Sequence, residues 1–287
     1  WSLLSVIDRT RTPMGGRLIR KWLGQPLLDL ELLEQRQEGV AFFHGDLLKR
    51  QEVTEYLELI PDLERLTNRV RSKIAFPREL VNLREGLKAA RTLTSHLISE
   101  GSSFPSWVTN MLRPSDEVIA LLDKALASDV VGNVGDGTVI RKGFSPELDE
   151  LTSQSANTKG FIAKLELQEK ESTGIKSLKV GYNRVFGYYI EVTKSHIDKV
   201  PDYFIRKQTL VNAERYFTQE LKDFEDTVLS SNEALVDLEN LIFNNLLKMI
   251  LEKSKKILNN AYLLSKIDVA LGLAEVASEN NYCRPKF

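Results

Sequence analysis

The stretch LKVGYNRVFGYYIEVTK, residues 178–194, differs from its surroundings because its apolar residues recur at every second position. That period places alternate side chains on opposite faces of an extended chain. One face would carry Phe186, Tyr188, Ile190 and Val192, whereas the flanking sequence has the three- and four-residue spacings of helices. The sequence therefore predicts a small piece of β-sheet inserted into a mainly helical chain.

The predicted sheet has four short strands, which is close to the minimum for independent stability. Two strands are predicted at 175–182 and 185–193. They are separated by a turn at Asn183 and Arg184, where an asparagine tolerates left-handed backbone geometry. The other two strands are predicted within 203–217, which is rich in threonine and aromatic residues.

Two long helices are predicted on either side of the sheet, from 145 to 172 and from 218 to 259. Both show a seven-residue repeat, which is typical of helices that pair along a seam. The first seam contains Leu148, Leu151, Ser155, Thr158, Ile162 and Leu165. The second contains Leu221, Phe224, Val228, Ser231, Leu235, Leu238, Ile242, Asn245 and Met249. We expect antiparallel pairing with the sheet at the far end, and two ordinary core helices stay open as the alternative.

Residues 1–128 have the pattern of consecutive helices joined by short connections, as in an all-α domain. The predicted helices are 13–23, 29–43, 46–59, 62–74, 77–98, 104–112 and 115–126. Asp29, Asp46 and Asp62 are predicted N-caps, because an aspartate side chain accepts hydrogen bonds from the first backbone N–H groups. Residues 129–144 contain four glycines but no phosphate-loop signature, so a plain connecting loop is predicted there.

The composition is that of a soluble globular protein, with 42% hydrophobic and 28% charged residues among 287. No apolar run approaches the roughly 20 residues that span a membrane. The single cysteine, Cys283, excludes an internal disulfide framework and is consistent with a cytoplasmic protein. Because the sequence begins with Trp1 rather than methionine, we expect it to be part of a longer protein.

The sequence contains no arrangement of residues that points to catalysis. His44, His96 and His196 are far apart in sequence and lack the spacing of metal ligands. His196 is able to touch phosphate, but a solvated loop residue is the favoured interpretation. The many acidic residues on the helices are interpreted as solvated faces. A binding or structural function is therefore favoured over an enzymatic one.

Positive charge is concentrated in the predicted sheet. Residues 175–217 contain eight Lys and Arg against four Asp and Glu, a net charge of +4 in a chain whose total is −1. A local basic region is typical of a surface that binds a polyanion, and the alternative is that the cations prevent edge-to-edge pairing of strands. Polar side chains that can donate to phosphate oxygens lie between the cations, namely Asn183, Gln208, Thr209 and Asn212.

The segment TGIKSLKVGYNRVFGYYIEVTKSHIDKVPDYFIRKQTLVNAERYFTQELKDFED, residues 173–226, strongly resembles the clamp of the bacterial MutS family of DNA mismatch-recognition ATPases. Residues 2–29, SLLSVIDRTRTPMGGRLIRKWLGQPLLD, resemble the opening of that family's lever domain. Residues 264–287, LSKIDVALGLAEVASENNYCRPKF, resemble the stretch that leads into its ATPase domain. The resemblance therefore covers the whole chain in the same order.

The resemblance implies a mainly α fold, in which a helical core carries two long antiparallel lever helices and a small β-rich clamp at their tip. The implied domains are the core with the first lever helix at 1–172, the clamp at 173–217, and the second lever helix with its return to the core at 218–287.

The resemblance also implies a set of DNA-contacting residues. In the family, the clamps of a dimer close around duplex DNA and contact its phosphate backbone. Asn183 in GYNRVFGYY and Asn212 in QTLVNAERY match two backbone-contacting asparagines. Val211 departs from the pattern, because this position is often lysine in the family, so weaker binding at the tip is expected. Arg184, Arg206 and Lys207 lie beside the matched positions and are added to the candidate site for their charge, not from the resemblance.

Cofactors and further partners are expected only for the longer protein. In the family, ATP and Mg²⁺ bind an ATPase domain, which is expected to begin shortly after Phe287. A Phe-x-Glu motif reads mismatches in an N-terminal domain, which would precede Trp1. The resemblance thus implies no cofactor and no catalysis in these residues, double-stranded DNA as partner, and a homodimer that binds a MutL-type protein.

Three functions stay open at this point. The first possibility is a clamp that grips duplex DNA without reading its sequence. The second is a lever that transmits the nucleotide state of an ATPase domain. The third possibility is a coiled-coil scaffold that presents the sheet to a protein partner and has no DNA affinity of its own.

Overall fold

A computed structural model describes residues 2–99, 105, 108, 110–130, 132–183 and 185–286. The fold is mainly α with a small inserted antiparallel sheet, as the sequence predicts. The chain divides into two compact units, one formed by Trp1–Asn133 with Ile242–Phe287 and the other by Val134–Leu241. The domain boundaries expected from the family resemblance stay a prediction.

The first unit is helical. Among the described residues before 133, its helices are α1 (Leu3–Ile7), α2 (Pro13–Gly24), α3 (Leu30–His44), α4 (Leu47–Glu58), α5 (Leu63–Arg71), α6 (Pro77–Ser99) and α7 (Asp116–Ala125). The three predicted aspartate caps are confirmed, because Asp29, Asp46 and Asp62 each accept a hydrogen bond from a backbone N–H of the first turn. The predicted helix 104–112 lies largely outside the described residues.

A buried carboxylate fixes the start of α2. Asp268 is 0% exposed and accepts hydrogen bonds from the backbone N–H groups of Arg11 and Thr12, both at 2.8 Å, and from the Thr12 hydroxyl at 2.7 Å. Thr12 in turn caps α2 by accepting from the Gly15 N–H at 3.0 Å. Burial raises the pKa of Asp268 and these hydrogen bonds oppose the rise, so the carboxylate is a structural anchor.

The helix predicted at 218–259 begins as expected and continues further, as α9 (Gln219–Glu279). Its seam was predicted incorrectly beyond Ile242, because Asn245 and Met249 are exposed, Met249 by 51%. The buried residues here are Phe243, Leu246, Leu247, Ile250, Ser254 and Ile257. An α-helix turns every 3.6 residues, so a strict seven-residue repeat drifts by about 20° per heptad away from a fixed face.

The second unit contains α8 (Pro146–Thr173) and the first part of α9. The α8 boundaries agree with the prediction, because Ser145 caps its start by accepting from the Leu148 N–H and Gly174 ends it with a left-handed φ of 69°. Glycine takes up that conformation without the steric cost of a Cβ atom.

Side-chain contacts confirm that α8 and α9 run antiparallel within this unit. The Phe161 and Phe224 rings stack with centroids 3.8 Å apart. Nearer the start of α8, the Ser155 hydroxyl donates to Asn232 at 3.1 Å, so positions that rise along one helix meet positions that fall along the other. The Ser231 hydroxyl donates to Gln154 at 3.3 Å, which makes the middle of the seam polar, as predicted.

The sheet consists of β1 (Lys179–Asn183), β2 (Gly187–Thr193), β3 (Ile205–Thr209) and β4 (Ala213–Phe217), in the order β1-β2-β4-β3 with antiparallel neighbours. A 3₁₀ helix, Lys194–Lys199, follows β2. The predicted strands 175–182 and 185–193 start too early. Residues 175–178 precede β1, and residues 185 and 186 form a turn. Both segments are short and adjoin a strand, so the two-residue pattern alone does not separate them from it.

One face of the sheet packs against the two long helices. The shared core is formed by Leu165, Ile175, Leu178, Ile190, Val192, Phe204, Tyr216 and Leu221. Ile190 and Val192 are 0% exposed, so the predicted inward face of β2 is confirmed at these two positions, whereas Phe186 lies in the turn and is 41% exposed. The opposite face of the sheet is therefore the one turned away from this core.

The glycine-containing loop, residues 129–144, is anchored by a buried carboxylate in addition to connecting two helices. The Glu239 carboxylate of α9 is 0% exposed and accepts four backbone hydrogen bonds from this loop. The donors are the N–H groups of Gly135 at 2.6 Å, Gly137 at 2.9 Å, Val139 at 3.0 Å and Ile140 at 3.2 Å. Gly135 and Gly137 have φ values of 104° and 70°, which glycine adopts readily, so the loop can wrap around the carboxylate.

Among the described residues, no helix combines the length and the apolar character needed to cross a membrane.

Candidate nucleic-acid interface

Asn183 holds the turn between β1 and β2 with its side chain. Its Oδ1 accepts hydrogen bonds from the backbone N–H groups of Val185 at 2.8 Å and Phe186 at 3.3 Å. The predicted reason for an asparagine here was wrong, because the residue with positive φ is Gly187, at 73°. Since the carboxamide oxygen is engaged, the Nδ2–H₂ group of Asn183 is left in a fixed orientation as a donor.

The Glu225 carboxylate of α9 binds the backbone where this turn meets β2. Glu225 accepts a hydrogen bond from the Tyr188 N–H at 2.8 Å, and a Cβ atom at Gly187 would overlap the same carboxylate. The edge of β1 is supported similarly, because Glu166 of α8 accepts from the Val180 N–H at 2.9 Å. Lys170 holds the Glu166 side chain, and the hydrogen bond from that lysine lowers the pKa of Glu166.

Asn212 lies in the turn between β3 and β4, which is closed by a hydrogen bond from the Leu210 N–H to the Ala213 carbonyl at 2.8 Å. Asn212 is exposed, and Val211 beside it is 85% exposed. The Asn212 carbonyl accepts a hydrogen bond from the Lys194 N–H at 3.1 Å. The structure therefore places the exposed cation Lys194 next to Asn212, a proximity that the sequence separation of the two residues conceals.

The two matched asparagines lie at opposite ends of the sheet. Asn183 pairs with Gly187 at the start of β2, whereas Thr193 at its end pairs with Ala213, next to Asn212. Six residue steps along β2 correspond to about 20 Å. The structure therefore brings Asn212 and Lys194 together but separates both from Asn183.

Arg206 and Lys207 lie on β3, an edge strand. The strand register shifts between Arg206 and Gln208, so Lys207 is the extra residue of a β-bulge. Lys207 is exposed with its Nζ 5.5 Å from the centre of the Phe217 ring, and Arg206 is 64% exposed with its Nη1 3.7 Å from Glu214. This placement fits both a polyanion contact and protection of the edge. Arg184, the remaining candidate, lies outside the described residues.

Arg215 was counted among the cations of this region, but its charge is compensated. Its Nε donates to Glu191 at 2.9 Å, its Nη1 donates to Gln208 at 3.1 Å, and the guanidinium lies 4.1 Å from the centre of the Tyr189 ring. These contacts tie β2, β3 and β4 together on the face turned away from the core. Among the described residues of the sheet and its loops, the exposed cations are Lys176, Lys179, Lys194, Lys199, Arg206 and Lys207.

Comparison with known proteins identifies the family. Residues 1–274 match the family model described as MutS domain III. The DNA mismatch repair protein MutS of Dehalococcoides mccartyi is 42% identical over 286 residues, which is 100% of this chain and 33% of that protein. The proteins of the same name from Thermotoga neapolitana and Acetivibrio thermocellus are 41% and 42% identical, over 100% and 99% of this chain and over 35% and 33% of their own lengths.

The chain spans about a third of the length of the curated relatives it matches. The match covers both compact units and all four strands of the sheet. The chain therefore belongs to the MutS domain III family, which is found in DNA mismatch repair proteins.

Proposed function

We propose that the four-stranded sheet contacts the sugar-phosphate backbone of duplex DNA without reading its sequence. The main support is that six exposed Lys and Arg side chains lie on the sheet and its loops, in a chain of net charge −1. Side chains that donate to phosphate oxygens fix the position of a protein on DNA but carry no base information. The family membership favours this polyanion over an acidic protein partner.

The two turns extend the proposed contact over the length of the sheet. Asn183 and Asn212 would each donate from a carboxamide group to a phosphate oxygen, at ends of β2 that are about 20 Å apart. The cations beside Asn212 and along β3 would add charge-assisted hydrogen bonds, which are shorter and stronger than neutral ones. The oxygen of Asn183 is already bound to the turn, so its donor is preorganised for such a contact.

The wider function is carried over from the family and belongs to the proposal. We propose that the chain works within a longer cytoplasmic mismatch repair protein that is a homodimer, hydrolyses ATP with Mg²⁺ in another domain, and binds a MutL-type protein. The helix α9 follows β4 after a single residue, Thr218, and continues to Glu279. A continuous helix of this kind provides a mechanical connection between the sheet and distant parts of a protein.

The double substitution Asn212→Ala with Lys207→Ala is expected to weaken duplex binding about ten-fold at low salt, because one cation and one neutral donor are lost. The slope of log K against log[salt] is expected to become shallower by about 0.9, the contribution of one phosphate neutralised by Lys207. Fluorescence anisotropy of a labelled duplex at several salt concentrations measures both quantities.

A matched control is Asn245→Ala with Lys248→Ala, since both residues are exposed on α9 and lie outside the sheet. This pair removes the same chemical groups, and we expect it to leave both affinity and salt slope unchanged. Equal losses for the two double variants would contradict the assignment of DNA contact to the sheet. If the Asn212 and Lys207 variant keeps its duplex affinity, with unchanged helicity by circular dichroism, the result would favour the alternative of a coiled-coil scaffold without DNA affinity.

Asn183→Asp separates the turn from the DNA contact. An aspartate keeps the oxygen that accepts from Val185 and Phe186, so the unfolding free energy is expected to change by less than about 0.5 kcal/mol. It removes the donor and adds a negative charge, so duplex affinity is expected to fall about ten-fold or more. Asn245→Asp adds the same charge outside the sheet and serves as the control. Wild-type affinity in Asn183→Asp would show that this turn does not meet phosphate.

A further inference from the structure

His196 is held in a small network of hydroxyl groups at the Asn212 end of the sheet. Its Nδ1 lies 3.1 Å from the Thr193 hydroxyl and 3.0 Å from the Ser195 hydroxyl. The Thr193 hydroxyl is also 3.2 Å from the Ser177 hydroxyl and 3.1 Å from that of Ser195. His196 is therefore partly exposed, with its Nδ1 engaged by hydroxyl groups.

The network orients the imidazole ring at Nδ1. Each neighbouring hydroxyl can donate or accept, so Nδ1 is able to accept a hydrogen bond from Thr193 or Ser195. In the neutral tautomer that accepts at Nδ1, the proton is on Nε2. Among the described residues, Nε2 of His196 has no hydrogen-bonding partner, and this atom is not buried. In that tautomer, Nε2–H is an oriented donor open to solvent.

The surroundings of this donor are suited to an anion. Lys194, two residues before His196, is exposed and its N–H binds the Asn212 carbonyl at 3.1 Å. Lys199 at the end of the same 3₁₀ helix is exposed, as is Lys176, the neighbour of Ser177. The acid of this helix, Asp198, is also exposed. The segment that carries His196 and the residue next to its hydroxyl network thus provide three exposed lysines and one exposed carboxylate.

We infer that His196 binds a phosphate group of duplex DNA through Nε2–H, as part of one contact cluster with Lys194 and Asn212. Thr193 and Ser195 are positioning residues that orient the imidazole through hydrogen bonds at Nδ1. This inference rests on the proposed function, because it names a further residue of the same interface. His196 is not among the matched family positions, and from the sequence a phosphate contact there was only the less favoured interpretation.

Two isosteric replacements test which ring nitrogen is used. The side-chain NH₂ of glutamine reaches the position of Nε2, whereas that of asparagine reaches the position of Nδ1. His196→Asn is therefore expected to weaken duplex binding about five-fold, and His196→Gln is expected to retain affinity within about two-fold. His44→Asn is the matched control, because His44 is exposed on α3, and it is expected to bind as the unsubstituted chain does.

Nuclear magnetic resonance of the unsubstituted 287-residue chain provides a test that does not depend on a variant folding correctly. Long-range ¹⁵N–¹H correlation spectra at neutral pH are expected to show the Nε2–H tautomer for His196. Addition of a duplex at low salt is expected to shift the Nε2 resonance, whereas the corresponding resonance of His44 stays in place.

The outcomes distinguish the role of His196 from the proposed contact of the sheet with DNA. Three results would each overturn the role of His196 and leave the proposed function standing. They are wild-type affinity in His196→Asn, an Nδ1–H tautomer, and an Nε2 resonance that does not shift when the duplex is added. Absence of duplex binding by the unsubstituted chain at low salt would overturn the proposed function and this role together. Loss in His196→Asn with retention in His196→Gln supports both.

Discussion

Replacement of Glu239 by alanine is expected to lower the unfolding free energy of the Val134–Leu241 unit by about 2–5 kcal/mol. The carboxylate is 0% exposed and is the acceptor for four backbone N–H groups. Two of these donors belong to Val139 and Ile140, which are 0% and 6% exposed, so water does not readily replace the lost acceptor. A buried donor without a partner costs about 1–3 kcal/mol.

Glu239→Gln is expected to be destabilising as well, because its NH₂ group would face backbone N–H donors where an oxygen now accepts. The neighbouring Asp237 is exposed, and Asp237→Asn makes the same chemical change without disturbing the loop, so a change below about 0.5 kcal/mol is expected for it. Urea unfolding measures the free energies, and hydrogen exchange at residues 134–140 locates the effect. Unaltered exchange in this loop after Glu239→Ala would contradict the assigned anchor.

Gly15→Ala is expected to destabilise the helical unit by about 2–4 kcal/mol, although an alanine normally favours a helix over glycine. A Cβ atom at this position would overlap the Asp268 carboxylate. Asp268 is 0% exposed and binds Arg11 and Thr12 at the start of α2, so it has no room to move without breaking these hydrogen bonds.

Gly160→Ala is the control for this prediction, since Gly160 lies within α8 and a Cβ atom there meets nothing within 4 Å. It is expected to stabilise the chain by about 0.5–1 kcal/mol, the ordinary advantage of alanine in a helix. Thermal or urea unfolding of both variants gives the comparison. A stabilising Gly15→Ala would mean that Asp268 does not lie against α2 as described.

The helices were predictable because their signals are local. Asp29, Asp46 and Asp62 were assigned as caps from the residue type and the apolar pattern that follows, and each accepts the expected hydrogen bond. The same holds for α8, which begins after a serine and ends before a glycine. The seam of α9 was predicted correctly where this helix pairs with α8. It failed further along α9, because a strict seven-residue repeat does not describe the buried face of a helix that packs into a broader core.

The acidic residues show what the sequence pattern does not contain. Acidic side chains on the helices were interpreted as solvated faces, yet Glu166, Glu225, Glu239 and Asp268 each accept backbone hydrogen bonds from other segments. The donors of Asp268 lie 256 and 257 positions away in the chain, and those of Glu239 about a hundred. A pattern read within one helix cannot identify partners at such distances, so these four roles required the structure.

The candidate site was predictable in part. Composition alone indicated a basic sheet, and the family resemblance selected Asn183 and Asn212. The proximity of Lys194 to Asn212 depends on a strand pairing between Thr193 and Ala213. The engagement of His196 by Thr193 and Ser195 depends on the 3₁₀ helix that follows β2, which the sequence pattern did not predict. Conversely, Arg215 contributed to the positive charge counted from the sequence, but Glu191 compensates it across the same pair of strands. Cross-strand partners decide which cations are available, and sequence separation hides them.

Photo-crosslinking from the turn between β3 and β4 tests the central claim most directly, namely that this sheet lies against duplex DNA. Val211 is 85% exposed beside Asn212, and Met249 is 51% exposed on α9 outside the sheet. With p-benzoylphenylalanine at either position, a labelled duplex is expected to crosslink strongly at 211 and weakly at 249, and the signal at 211 is expected to fade as salt is raised. Equal crosslinking at both positions, or crosslinking at 249 alone, would contradict the account.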